Sequence, residues 1–430
     1  MTNLLLKTKL SIPSLRAETV QRTHLLNQLN RGLQNLEGFD RQLTFVSAPA
    51  GYGKTTLVVE WIKRLCLPAA WLSLDDTDND PTRFLSYLVA SIQQIHAGFG
   101  KGTSAILKSS QQASSEAILT VLINEISGIP APFLLVLDDY HVIHTRLIHE
   151  QLTFLLDHQP PHMHIVLITR EDPLLPISRW RAKGRLLEIR QDDLSFTVEE
   201  TSEFLTRVMG LSLSPSEISA LERRTEGWIA GLQLAALSIR GHADVPGFIQ
   251  DFTGSSRFIL DYLMEEVFER QSAELKDFLL KTSVLERLSA HLCDSVAERI
   301  DSQHLLESLE QANLFIIPLD QSRMWYRYHR LFLELLRHRL RLSGLNEADL
   351  HIRACEWFEN NGYFADAIQH GLAAPDWSRA KSLLRHVTSD MLKRGEVATL
   401  LRWYSSLPED VLTSDPQFYF EYCWILLLAG

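Results

Sequence analysis

Apolar and polar positions follow three regimes along this chain. From Gln42 to about Arg190, short and nearly continuous apolar runs recur at Leu43–Ala48, Ala70–Leu74, Phe133–Asp138, Ile165–Thr169 and Leu186–Ile189. Runs of this kind predict strands buried on both faces. Between them, apolar residues return at three- and four-residue intervals near 55–65, 82–96, 115–127 and 147–157, which predicts helices. The alternation predicts a parallel five-stranded sheet with helices on both faces. The stretch from Ala97 to Ser115 is rich in Gly, Ser and Gln and reads as loop. Residues 1–40 read as an entry arm. In it Ile12-Pro13 is extended chain, and Thr23 caps a helix carrying Leu25, Leu26, Leu29 and Leu33 on one face.

After Asp192 the strand pattern stops. Thr197 and Glu200 have capping-box spacing, and Ser214-Pro215-Ser216-Glu217 repeats the signal with Pro at the first helical position. Helices are predicted at Trp228–Ile239 and Phe258–Phe268. Farther on, Leu314–Leu319 and Met324–Tyr328 flank Asp320-Gln321-Ser322-Arg323, a hairpin among helices that points to a winged-helix domain. From Asp349 onward the pattern is of helical hairpins. His351–Asn361 leads to Gly362-Tyr363, Ala365–Leu372 and an Ala380, Leu383, Leu384 spacing, like tetratricopeptide pairs. Such repeats bury their apolar faces only by stacking. The apolar stretch Trp424–Gly430 has no polar cap, so a longer natural protein is expected. The resulting division is 1–40 arm, 41–192 nucleotide-binding domain, 193–270 helical domain, 271–345 winged helix and 346–430 start of helical repeats.

Composition narrows the class. The 430 residues are 45% hydrophobic and 22% charged, with net charge −11, which argues against a chain built to coat nucleic acid or an anionic membrane. Cys66, Cys293, Cys355 and Cys423 are scattered without metal-ligand spacing, in keeping with a reduced, cytoplasmic setting. Leu4-Leu5-Leu6 precedes its lysines, the wrong order for a signal peptide, and no stretch is long enough to span a membrane.

The chemistry concentrates at Ala48-Pro49-Ala50-Gly51-Tyr52-Gly53-Lys54-Thr55-Thr56, between a predicted strand and a predicted helix. That is the setting of a phosphate-binding loop. Its backbone N–H groups wrap a phosphate at a helix N-terminus, and Gly51 and Gly53 permit the required backbone angles. Lys54 suits the β- and γ-phosphates, and the Thr55 hydroxyl suits Mg²⁺. The first glycine of the usual motif is replaced here by Ala48. Asp138 and Asp139 end the third strand, where open sheets bind ligands. Asp138 is a candidate Mg²⁺ ligand and Asp139 a candidate for orienting or deprotonating an attacking water. Arg170, ending the next strand, suits a γ-phosphate, or alternatively caps a strand end. Asp75, Asp78 and Asp80 lack the Gly and Glu of a calcium loop, so capping is the better reading. Arg327, Arg330, Arg337, Arg339 and Arg341 read as a solvated helix face, or as a phosphate-facing or interdomain patch.

Together these motifs resemble the signal-transducing NTPases with numerous domains (STAND), and within them the LuxR-type, MalT-like ATP-dependent transcriptional activators. The resemblance runs through essentially the whole chain. It includes Lys9-Leu10, Val20-Gln21-Arg22, the Ala48–Thr56 loop with alanine at its first position, Trp71–Asp80, Arg83-Phe84, Asp138–His141, Thr169-Arg170, Leu194–Glu200, Gly227-Trp228, Gly231–Leu234 and Tyr328–Phe332. It implies ATP or ADP with Mg²⁺ as ligands. It also implies that Val20 and Arg22 pack near adenine and phosphates, that Arg170 senses the γ-phosphate, and that His329 holds the β-phosphate of ADP. Family members often carry Pro where this chain has Ile229, so no nucleotide contact is carried over to that residue, and Trp228 reads as a core aromatic. The implied function is a regulatory switch: an ADP-bound resting monomer opens to an ATP-bound, self-associating form with slow hydrolysis, under an inducer sensed by the repeats. No specific DNA binding is expected of this segment. A STAND-type immune or effector NTPase with another output domain is the alternative. The Trp71–Asp80 and Tyr328–Phe332 stretches speak against a work-producing AAA+ motor.

Overall fold

The computed structural model describes residues 5–429 apart from 16–17, 34–38, 40, 66, 109–113, 240–244, 252–256, 321 and 394–396. Leu4, Cys66, Gln321 and Gly430, named above, lie outside the described residues. The chain forms two units: residues 1–252 with 311–314, and residues 253–310 with 315–430.

The first unit is built on five parallel strands, β1 (Leu43–Ser47), β2 (Ala69–Ser73), β3 (Phe133–Asp138), β4 (Met163–Thr169) and β5 (Leu186–Ile189), in the order β2-β3-β4-β1-β5. Every residue of β1, β3 and β4 is buried, as the continuous apolar runs require. Helices α1 (Thr23–Arg31), α2 (Lys54–Leu65), α3 (Pro81–Gln93), α4 (Lys101–Lys108), α5 (Ser115–Ser127) and α6 (Arg146–Asp157) accompany the sheet. Phe84, Tyr87 and Leu88 of α3, Leu122 and Ile126 of α5 and Ile148 and Leu152 of α6 pack with Leu135 and Leu137 of β3 in one core.

Local signals behave as expected in several places. Asp75 and Asp78 form a capping box, Asp80 caps α3 by accepting from the Arg83 N–H at 2.8 Å, and Lys9 forms ion pairs with both Asp75 and Asp78. The acidic triplet is therefore a cap and an anchor for the arm. Two expectations are corrected. Thr23 is the first helical residue, with Arg22 in the cap position and no side-chain cap bond. The stretch read as loop contains α4, whose first turn is capped from α5: Glu125 accepts from the N–H groups of Gly102 and Thr103 and from the Thr103 hydroxyl. A cap supplied by a different helix leaves no trace in the local pattern.

The unit continues through α7 (Ile177–Ala182), α8 (Gln191–Leu194), α9 (Val198–Glu203), α10 (Pro215–Thr225), α11 (Ile229–Ile239) and α12 (Val245–Asp251). Thr197 with Glu200 and Ser214 with Glu217 form the expected capping boxes.

The second unit begins with α13 (Arg257–Leu263), which runs on as a π-type turn over Met264–Phe268. It then contains α14 (Ala273–Thr282), α15 (Ala290–Ala297), α16 (Ser302–Gln311), an antiparallel pair β6 (Ile316–Pro318) and β7 (Tyr326–Tyr328), and α17 (Arg330–Ser343). Gln311, the last residue of α16, falls in the first unit. The Tyr328 hydroxyl meets Thr282 Oγ1 at 2.8 Å, joining β7 to α14. The helical pairs follow as α18 (Glu347–Asn360), α19 (Phe364–Ala373), α20 (Trp377–Lys393), α21 (Val397–Ser405), α22 (Glu409–Thr413) and α23 (Pro416–Ala429). Helices α18, α19 and α20 pack closely through small residues: a Cβ on Gly371 would stand 3.5 Å from Cys355 Sγ and 3.6 Å from Ala380 Cβ. Arg287 joins the hairpin to the first pair, lying 4.5 Å from the Trp325 ring and 4.7 Å from the Tyr363 ring while pairing with Asp366.

Candidate functional site

The site lies at the carboxyl ends of β1, β3 and β4, the edge where open parallel sheets bind ligands. Strand β1 leads into the loop 48–53, and α2 starts at Lys54. Gly51 and Gly53 have φ of +81° and +77°, left-handed angles that favour glycine. Tyr52 turns its side chain into the core, and its hydroxyl accepts from Gln191 Nε2 at 3.1 Å, so it offers the loop only its backbone. Pro49 and Ala50 are buried and Thr56 is exposed.

Lys54 is buried, and its ammonium donates to the Ala48 and Pro49 carbonyls at 2.7 and 2.9 Å. Burial, reinforced by the charge of Arg170, lowers its pKa to about 8, against opposing pulls from Asp139 and Asp138. The Thr55 hydroxyl lies 3.2 Å from each oxygen of the Asp138 carboxylate. Asp138 also accepts from the Asp139 N–H at 3.0 Å. Burial and the neighbouring Asp139 charge nevertheless raise the Asp138 pKa to about 7. Asp139 has left-handed backbone (φ 56°), a side chain about half exposed, and an oxygen 3.9 Å from His141 Nδ1.

These groups fit a magnesium nucleotide. Two glycines with left-handed angles shape a phosphate cradle, a buried lysine stands beside it, and a hydroxyl–carboxylate pair of hard oxygens lies at its rim.

Three further expected residues lie outside the loop. Arg22 donates to the carbonyls of Asp193, Leu194 and Ser195 and forms an ion pair with Glu200 at 3.0 Å. Those acceptors tie the guanidinium to the segment 193–200. Arg22 also lies 5.0 Å from the centre of the Phe196 ring. Val20 is buried in the arm. His329 belongs to the second unit, at the start of α17. It is wholly buried, edge-to-face with Phe315, and its N–H donates to the Phe315 carbonyl at 2.7 Å.

Sequence reasoning missed three contributors. Trp228 is fully buried, as a core aromatic should be, yet its Nε1–H donates to the Ala50 carbonyl at 2.9 Å. Ala230 N–H donates to the Gly51 carbonyl at 3.1 Å. Asn313 donates from Nδ2 to Ser47 Oγ and to the Arg170 carbonyl, both at 2.9 Å. Gly227-Trp228 was the available signal for the first two, and nothing near Asn313 in the sequence singles it out.

A family profile described as the MalT winged helix domain matches residues 264–349. The HTH-type transcriptional regulator MalT of Cronobacter sakazakii is 33% identical over 98% of this chain. The chain is homologous to MalT over nearly its whole length. It spans 46% of that MalT, so it corresponds to somewhat under half of such a protein. The serine/threonine-protein kinase PknK of Mycobacterium tuberculosis is 32% identical over 91% of this MalT-like chain, which spans 36% of PknK. Among solved structures, the STAND protein with a tetratricopeptide repeat sensor from Pyrococcus horikoshii is 17% identical, with 97% of this chain and 57% of that one covered and a TM-score of 0.41. No helix among the described residues is long and apolar enough to cross a membrane.

Proposed function

We propose that this chain is the ATP/ADP-binding switch module of a signal-responsive transcriptional activator. The observation that carries the reading is the Thr55–Asp138 pair beside buried Lys54 at the glycine loop, in a chain homologous to MalT. Lys54 binds the β- and γ-phosphates, while Thr55 and Asp138 hold Mg²⁺, which neutralises phosphate charge. Asp139 orients the attacking water from the exposed side of the pair, and Arg170 reads the γ-phosphate. His329 favours the ADP state through the β-phosphate. In this reading 41–192 binds nucleotide, 193–270 and 271–345 transmit its state, and 346–430 begins the array that senses an inducer. ADP keeps the protein monomeric, and ATP with inducer allows self-association. The hydrolysis is slow and resets the switch, and the protein works in the cytoplasm. DNA reading belongs to a separate domain.

A second reading is favoured by the PknK match. There a protein named as a kinase shares this region, so the same switch can serve an output other than DNA binding. The coding sequence flanking this segment separates the two.

The central experiment is to identify the nucleotide that copurifies and to follow molecular mass by light scattering in ADP and in ATP. Copurified ADP and ATP-dependent assembly are expected. Absence of adenine nucleotide, with no binding of added Mg-ATP, overturns the reading.

A further inference from the structure

The phosphate loop is held from outside the sheet by a short segment of the helical domain. Gly227 has φ +70°, and a Cβ there would stand 2.5 Å from the Phe196 carbonyl oxygen, so only glycine lets the chain lie against that backbone. The Phe196 N–H donates to the Gly227 carbonyl at 2.9 Å, which fixes the approach. The next residue, Trp228, is wedged between two glycines. A Cβ on Gly231 would come 2.5 Å from the indole, and one on Gly51 would come 2.8 Å from its Nε1 and 2.5 Å from Ala230 Cβ. The indole therefore has one place to be, with its single donor on the Ala50 carbonyl at 2.9 Å. One residue along the loop, the Gly51 carbonyl is held by the Ala230 N–H at 3.1 Å.

Peptide groups are planar and trans, so a carbonyl and the N–H of the following residue point in opposite directions. Fixing the Ala50 carbonyl on Trp228 turns the Gly51 N–H away from Trp228. Fixing the Gly51 carbonyl on Ala230 does the same for the Tyr52 N–H. Two successive N–H groups of a phosphate nest are thereby oriented by donors on the far side of the loop. We infer that Trp228 and Ala230 are positioning residues of the phosphate loop: they aim the Gly51 and Tyr52 N–H groups at the diphosphate of the nucleotide. The same segment reaches back to the entry arm, because Arg22 binds the Ser195 carbonyl and lies over the Phe196 ring. A displacement of the arm would thus reach the loop through Phe196, Gly227 and Trp228. The inference rests on the nucleotide reading above and specifies which part of the ligand the segment serves.

The test uses the whole chain with the Trp228 indole N–H replaced by sulfur through site-directed incorporation of benzothienylalanine, which keeps the shape. Trp228→Phe is the genetic counterpart. The probes are Mg-ADP, Mg-GDP and Mg-pyrophosphate in calorimetry, with melting curves alongside. The expected result is an about three- to tenfold weakening of both ADP and pyrophosphate, the loss of one positioned hydrogen bond. The ADP/GDP ratio and the melting temperature of the isostere stay unchanged. Affinities within twofold of the unmodified chain overturn the positioning role. So does a changed ADP/GDP ratio with pyrophosphate unaffected, which assigns Trp228 to the base instead. Failure of the unmodified chain to bind any of the three removes the nucleotide reading and this inference together.

Discussion

The Thr55 hydroxyl stands 3.2 Å from both oxygens of the Asp138 carboxylate. That contact joins the first turn of α2, which follows β1, to the end of β3, and β4 lies between β1 and β3 in the sheet. It brings together a hydroxyl and a carboxylate of the kind that a hard divalent cation prefers. Asp138 is nonetheless poorly suited to carry its charge alone, since burial and Asp139 both favour the protonated form.

A pH dependence follows from that conflict. Asp138 has its pKa raised from 3.8 to about 7, so its contribution to folding stability is present below the unfolded pKa and is lost as pH rises from about 4 to 7. Lys54 is lowered from 10.5 to about 8, so its contribution is present above 10.5 and is lost as pH falls towards 8. The nucleotide-free protein therefore holds an uncomfortable charged pair near neutral pH. In the proposed site, cation binding requires the Asp138 carboxylate and expels its proton. Below pH 7, Mg²⁺ affinity in the presence of nucleotide should fall by up to about tenfold per pH unit, and flatten above it. Calorimetry in buffers of different ionisation enthalpy should detect proton release near pH 6. Asp138→Asn should bind Mg²⁺ weakly and without that proton, and retention of the release would assign it to another group.

Lys54 supplies the second prediction. Its ammonium already leans over the loop, bonded to the Ala48 and Pro49 carbonyls. Charge-assisted hydrogen bonds to phosphate are worth about 1.5–3 kcal/mol. Lys54→Ala should weaken both ATP and ADP by about ten- to a hundredfold while the far-ultraviolet circular dichroism stays unchanged. Equal affinities in variant and parent would remove Lys54 from the site.

How much of this was readable in advance depended on distance along the chain. The strand Phe133–Asp138 is predicted residue for residue, because burial on both faces leaves the uninterrupted apolar run Phe133–Leu137. Caps made within three residues, as at Asp75, Thr197 and Ser214, were equally legible. Helix α4 was not, because its cap is Glu125 from α5. Nor was the second role of Trp228. Its apolar body forecast burial, but the partner of its one donor, Ala50, is 178 positions away. Nor were the acceptors of Arg22, since Leu194 and Glu200 are 172 and 178 positions distant.

Arg22 and Glu200 give a stability prediction. Their side chains are only 6% and 11% exposed, so removing one partner leaves an uncompensated buried charge. Breaking such a pair costs about 3–5 kcal/mol. Arg22→Ala should lower the first unfolding transition in urea by that order, and by more than Glu200→Gln, because Arg22 also serves three carbonyls. A loss under about 1 kcal/mol, the range of an exposed pair, would contradict the buried-anchor assignment.

The last prediction concerns the direction of switching. A contact made equally in the ADP and ATP states shifts no equilibrium, however strong it is. Arg170 follows β4 at the rim of the site, and its charge is felt by Lys54, so it can respond to a γ-phosphate bound there. His329 is buried at the start of α17, its ring edge-to-face with Phe315 and its backbone N–H on the Phe315 carbonyl. In the proposed switch the first favours ATP and the second favours ADP. Losing one hydrogen bond to a charged group costs about 1.5–3 kcal/mol, enough to change a population tenfold or more. His329→Ala should therefore weaken ADP relative to ATP and promote self-association. Arg170→Ala should weaken ATP relative to ADP and keep the chain monomeric in ATP. Both affinities are needed for each variant, with light scattering in saturating ATP. If the two substitutions move the ADP/ATP ratio in the same direction, or neither moves it, the opposed-sensor scheme fails and both residues are structural.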